Sequence, residues 1–161
     1  MKLPNILTCC FSVKQQTASI SYLSDAKWDN TVPFVPPITS GMVIKVYDGD
    51  TITIAAKLPY DESPVYRFQV RLTGIDCPEI KGPTTVEKEL AKKARDALSS
   101  IIMGKIVYLT NVGTEKYGRL LADVYYENLH INQWMLDNKY ACPYDGGTKA
   151  GNLRFPAPLP S

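Results

Sequence analysis

An α+β fold, with five short strands interrupted by one long helix after the third, is what this 161-residue chain predicts. Three observations carry that reading: alternating β-branched residues on both sides of Asp48-Gly49, a capped helical stripe over residues 84–103, and a second alternating pair split near Gly118. That order matches a five-stranded OB-type β-barrel with one long helix and at least one short one, preceded by an irregular N-terminal arm.

Each element follows from local chemistry. Residues 1–40 are rich in Ser, Thr and Gln, lack periodicity and finish in Pro33-Phe34-Val35-Pro36-Pro37, so they read as an arm with a stiff linker. Residues 42–47 and 51–56 form strands around Asp48-Gly49, a strong hairpin signal. After a polar, Pro-bounded loop at 58–64, residues 66–72 make the third strand. The long helix starts at Thr84, which with Glu87 fits a capping box, and it stops at Gly104. Val86, Leu90, Ala94, Ala97, Leu98 and Ile101 are expected to face the core, with Lys88, Lys92 and Arg95 turned outward. Residues 105–112 and 120–126 form a second hairpin through 114–118, followed by a short helix at 131–138 that buries Trp134 and Met135. His130, in the polar turn before that helix, is expected at the solvated surface. The patterned domain covers 41–145. Residues 146–161, with Gly146-Gly147 and three late prolines, read as an irregular tail.

Net charge is only +2, and residues 1–40 carry three Lys against two Asp, so no broad basic face is expected on either part. A polyanion would have to be held by a bound cation and a few placed arginines. The cysteines, Cys9, Cys10, Cys77 and Cys142, show no C-x-x-C spacing, which argues against zinc and against a disulfide framework. Reduced thiols suit an intracellular setting, and Cys9-Cys10 beside apolar residues is a candidate for acylation. Pro4 and Asn5 interrupt the first apolar stretch, so a secretory signal is not indicated. Nothing approaches the ~20 apolar residues of a membrane span.

The chemistry gathers in three clusters: Asp48-Gly49-Asp50-Thr51, then Arg71-Leu-Thr-Gly-Ile-Asp76-Cys77-Pro78-Glu79, then Glu115-Lys116-Tyr117-Gly118-Arg119. Taken singly each is ordinary: a hairpin turn, a strand exit, surface arginines. Asp48 and Gly49 satisfy the turn, however, and leave Asp50 over as an oxygen ligand for a hard cation. Asp76 supplies a second carboxylate, and Pro78 biases Cys77 to an extended conformation that suits its carbonyl oxygen as a third ligand. Glu79, beyond both, is placed to act as a general base through one water. Arg71 and Arg119 offer guanidinium forks that match phosphate oxygens. In combination these residues describe metal-dependent cleavage of a phosphodiester.

With these motifs in view, the stretch from about Gly41 to Tyr144 resembles the staphylococcal nuclease (thermonuclease) family. The resemblance implies an OB-fold, one Ca²⁺ ion, and hydrolysis of DNA and RNA to products ending in a 3′-phosphate. By that resemblance Asp50 and Asp76 are the metal carboxylates, and Cys77 offers its backbone carbonyl where a Thr is usual. Arg71 and Arg119 are the phosphate-binding arginines and Glu79 the general base. Lys116 and Tyr117 lie near the terminal phosphate, and Tyr144 is a candidate for stacking on a base. The chain departs from the pattern in a longer stretch between Ile54 and Arg71, whose residues 59–64 are expected to obstruct or reshape the substrate groove, and in lacking a recognisable long helix after Tyr144. Those departures sustain a rival reading, a binding module for nucleic acid or protein that uses the same barrel without catalysis.

Overall fold

The computed structural model describes residues 23–115 and 117–147. The expectations for Cys9, Cys10 and Lys116, and for the tail beyond Gly147, lie outside the described residues. The chain divides into two units, Met1–Pro33 and Phe34–Ser161. In the described part of the first, a 3₁₀ turn at Trp28–Asn30 is closed by the Thr31 hydroxyl, which donates to the carbonyls of Lys27 and Trp28.

The second unit contains β1 (Ser40–Val46), β2 (Thr51–Lys57), β3 (Val65–Leu72), β4 (Ile75–Asp76), α1 (Thr85–Ile102), β5 (Ile106–Thr114), β6 (Leu120–Tyr126), β7 (Leu129–His130), α2 (Ile131–Asp137) and β8 (Cys142–Pro143). Strands β1, β2 and β3 run antiparallel in sequence order, β5 joins β1 and β6 joins β5. A parallel pairing of β3 with β6, with Arg71 opposite Leu121, closes the ring. The result is the α+β, five-stranded OB-fold barrel that the strand pattern predicts. Closure leaves no long free edge, and every strand can bury alternate residues. Ile52 and Ile54 from β2, Val70 and Leu72 from β3, and Leu120, Ala122 and Val124 from β6 fill the interior.

The capped ends of α1 are as the sequence indicates. Thr84 Oγ1 accepts a bond from the Glu87 N–H at 3.1 Å, and Gly104 takes the left-handed φ of +72° that ends the helix. Its buried stripe differs from expectation. Ala91, Ala94, Leu98 and Ile102 are buried, whereas Val86 is 67% exposed. The helix meets the barrel only from Ala91 onward, so apolar residues in its first turn stay in solvent. Small side chains at 91 and 94 permit that close approach.

Helix α2 is held by a buried amide. Asn132 Oδ1 accepts from the Val124 N–H at 2.9 Å, and its Nδ2 donates to the Thr73 carbonyl at 2.9 Å. This ties the helix to β6 and to the corner between β3 and β4, and it leaves the buried side chain satisfied. Met135 is fully buried, but Trp134 is only half-buried and stacks on Tyr140. His130 is not the solvated residue expected. Its ring stacks on Tyr125 with centroids 4.6 Å apart, and its Nε2 is buried without a partner among the described residues.

Strand β8 was not anticipated. It pairs antiparallel with β4, setting Cys142 opposite Asp76, and Tyr144 N–H donates to the Gly74 carbonyl at 3.0 Å. The loop at 58–64 closes on itself, with Ser63 Oγ accepting from the Leu58 N–H at 3.0 Å and the Tyr60 and Tyr66 hydroxyls 2.6 Å apart. No helix among the described residues is long and apolar enough to cross a membrane.

Candidate active site

The β1–β2 turn, the end of β3, β4 with the loop after it, and the β5–β6 turn all open onto one cleft of about 1420 Å³. Asp50, Arg71, Asp76, Cys77, Glu79, Tyr117, Arg119 and Tyr144 line it, so every described candidate from the sequence reaches a single site. None of residues 58–64 lines it, so the inserted loop does not obstruct the groove.

At its floor lies Arg71. Its Nη1 is 2.8 Å from Asp50 Oδ2 and its Nη2 is 2.7 Å from Asp76 Oδ1. The outward phase of β3 sets Arg71 between the buried Val70 and Leu72, and β4, paired with β8, turns back to present Asp76. Both carboxylates are almost wholly buried, at 3% exposure for Asp50 and 1% for Asp76. Burial alone would lower the Arg71 pKa, but the charges of Asp50 and Asp76 and their hydrogen bonds outweigh it, and the net shift is upward. The Tyr144 ring lies 5.9 Å from the guanidinium carbon, within cation–π reach.

Asp50 also accepts from the Cys77 N–H, 3.1 Å from the same Oδ2, and from the Thr51 hydroxyl, 2.9 Å from Oδ1. Arg119 comes from across the barrel. Its Nε donates to Glu115 Oε1, and its Nη1 lies 3.4 Å from Thr51 Oγ1. Glu115 and Arg119 also close the β5–β6 turn through backbone bonds, which fixes where the guanidinium emerges. Thr51 therefore links the carboxylate wall to the second arginine. Glu79 is exposed on the loop leaving β4, and its carbonyl accepts from the Gly82 N–H at 2.8 Å. Tyr117 is 73% exposed at the rim.

Three residues carry roles that the sequence reading did not assign. Asp48, a turn residue by its Asp-Gly motif, lines the cleft beside Asp50. Burial first, then the Asp50 charge, pushes its carboxyl up to about 7. Thr51 and Glu115 sit next to recognised motif residues, but only their contacts distinguish them from strand and turn filler. Gly49 also differs from its expected turn role, because it is not among the positive-φ glycines. A Cβ there would lie 2.7 Å from Cys77 Sγ and 2.9 Å from Ala94 Cβ. Glycine is needed so that the turn can press onto Cys77 and α1. Gly49→Ala is therefore expected to cost about 1–3 kcal/mol by overpacking, measured as a lower urea midpoint at unchanged slope.

Among the described residues, no three His, Cys, Asp or Glu side chains are gathered as a ready metal cage. Asp50 and Asp76 are hard oxygen donors brought side by side on the Arg71 guanidinium, and further ligands would come from backbone, water or substrate oxygens. Cys77 sulfur does not suit such a site. Burial and the charges of Asp50, Asp48 and Asp76 drive its pKa far up, so the thiol stays protonated. The remaining donors, all oxygens, fit a hard divalent ion.

Comparisons with known proteins point to one family. A family model described as staphylococcal nuclease homologue matches residues 69–152, just over half of the chain, and begins inside β3. A probable staphylococcal-like nuclease of Oryza sativa subsp. japonica is 36% identical over 81 residues, which is 50% of this chain and 20% of that protein. An uncharacterized endonuclease of Escherichia coli O157:H7 is 32% identical over 106 residues, covering 65% of this chain and 61% of that protein. A staphylococcal-like nuclease of Arabidopsis thaliana is 31% identical over 87 residues, 54% of this chain and 25% of that protein. The chain thus spans about a fifth to three-fifths of the length of these relatives. With the family model reaching from within β3 to β8 and the barrel closed as described, this chain belongs to the staphylococcal nuclease homologue family.

Proposed function

We propose that the chain is a calcium-dependent nuclease that hydrolyses phosphodiester bonds of DNA and RNA without selecting the sugar. The observation that carries this is the meeting of Asp50 and Asp76 on Arg71, with Arg119 joined to the same wall through Thr51. The cleft's charge points the same way. Among its described lining residues, six carboxylates face three cationic side chains, so a polyanion would be repelled unless a cation entered first.

When bound, a calcium ion held by Asp50, Asp76 and the Cys77 carbonyl supplies neutralisation of the phosphate charge. The protein's own residues do the rest. Arg119, and the Arg71 N–H groups not taken by Asp50, Asp76 and the Ile75 carbonyl, donate to the non-bridging phosphate oxygens and stabilise the charge that builds in the transition state. Glu79 accepts a proton from a water as its oxygen bonds to phosphorus. The bond to the 5′ oxygen breaks, and that oxygen takes a proton from solvent. The products are a 3′-phosphate and a 5′-hydroxyl. Tyr117, Lys116 and Tyr144 are assigned to the nucleotide, with Tyr144 also bracing Arg71.

Plasmid digestion tests this. Cleavage with Ca²⁺, its loss in EDTA, and ends that a polymerase extends only after phosphatase treatment are the expected results. Cutting that EDTA leaves untouched rejects the cation. DNA that is shifted in a gel yet intact with Ca²⁺ rejects the enzyme in favour of a binding module.

A further inference from the structure

We propose that the track for nucleic acid continues out of the cleft along the outer face of β3, into a second groove at Phe34 and Arg67 that takes the single strand flanking the scissile phosphate. This rests on the nuclease reading. The second groove has a volume of about 600 Å³, and Glu115 lines both it and the cleft, so the two adjoin at that residue.

The direction of the track is set by strand geometry. Val70 and Leu72 face the core, so Arg71, Gln69 and Arg67 share the outward phase of β3. Same-face residues repeat every ~6.6–6.8 Å along a strand, which places three polar side chains in file from the reacting phosphate outward. The neighbouring strand does not wall them off. Thr53 and Ala55 are the partners of Gln69 and Arg67, and both are small.

The chemistry of the groove selects the occupant. Arg71, Arg95 and Arg119 each have a carboxylate partner, whereas Arg67 has none among the described residues and its charge is uncommitted. Phe34, which also lines the groove, is 71% exposed and offers a flat ring. An uncommitted guanidinium beside an exposed aromatic matches a phosphate and the base next to it, and the base must be unstacked to use the ring. That favours a single strand over a duplex.

The test uses the full chain carrying Glu79→Gln, so that bound strands survive, with Ca²⁺ present and fluorescein-labelled oligothymidine as probe. Two lengths are compared by anisotropy: a strand of about 12 nucleotides, within the span of one OB-fold, and a trinucleotide that fits the cleft alone. Arg67→Glu is expected to lower the ratio of long-strand to short-strand affinity about tenfold. Arg67→Ala should reduce the salt slope of long-strand binding by about 0.7 of a counterion, and Arg67→Lys should restore it. Phe34→Ala should lower the same ratio by about five- to a hundredfold through lost stacking. A ratio unchanged in both Arg67→Glu and Phe34→Ala overturns the track. Failure of the nuclease reading looks different: the chain with Glu79 intact would bind with the same length dependence and leave the strand uncut.

Discussion

Arg71→Ala is expected to remove nearly all cleavage and to destabilise the protein, two effects from one side chain. Its fork joins Asp50 and Asp76, which are among the most buried polar groups in the barrel. Removing one partner of a buried ion pair leaves its counter-charges unpaired, at a cost of about 3–5 kcal/mol. Loss of a preorganised donor to the transition state should lower turnover by about 10²–10³. The two effects separate in a double variant. Arg71→Ala with Asp50→Asn should regain much of the stability and none of the activity. Calcium supplies a further readout, because an ion bound by the freed carboxylates stabilises only the folded chain. The rise in melting temperature on adding Ca²⁺ should be larger for Arg71→Ala than for the parent. Arg71→Lys is a poor substitute, since a point charge cannot span two carboxylates as a fork does. Urea denaturation, thermal melts with and without Ca²⁺, and single-turnover cleavage measure these effects. A variant as stable and as active as the parent would show that the buried pair is not what organises the site.

Glu79→Gln is expected to act on the chemistry alone. The side chain is exposed on the loop after β4, so its exchange for an isosteric amide should change stability by no more than about 0.5 kcal/mol. Turnover should nevertheless fall by about 10²–10⁴, because an amide cannot accept the proton of the attacking water. Binding uses other residues, so kcat should drop while KM holds. The opposite split, a raised KM at constant kcat, would make Glu79 a substrate contact and return the base to bulk water or another group.

The contrast between these two residues shows what could be read from sequence. Glu79 was identified through a local motif, and its exposure on a loop follows from Pro78 and the end of β4. Arg71 was identified too, and its outward phase follows from the alternation of Val70, Arg71 and Leu72. Its position between Asp50 and Asp76 did not follow, because it depends on β4 folding back against β8. Asp48 was assigned to a turn since Asp-Gly is a turn signal whatever else the carboxylate does. The α1 stripe departs from its periodicity at Val86 because periodicity marks an apolar face without saying where the partner surface begins. His130 and Asn132 were opaque for a similar reason: whether a lone polar residue is solvated or buried depends on what packs over it.

Composition, alternation and turn chemistry by themselves determined the α+β class, the five barrel strands, the two helices and the motif residues that carry charge. These are written within a few residues of one another, where backbone propensity and side-chain period act directly. Only the tertiary structure decided that the site exists as one place. Thr51 and Arg119 are 68 residues apart in the chain, and they meet because β3 and β6 pair in parallel and close the barrel. That pairing is set by how the whole core is filled, and no local stretch of sequence specifies it.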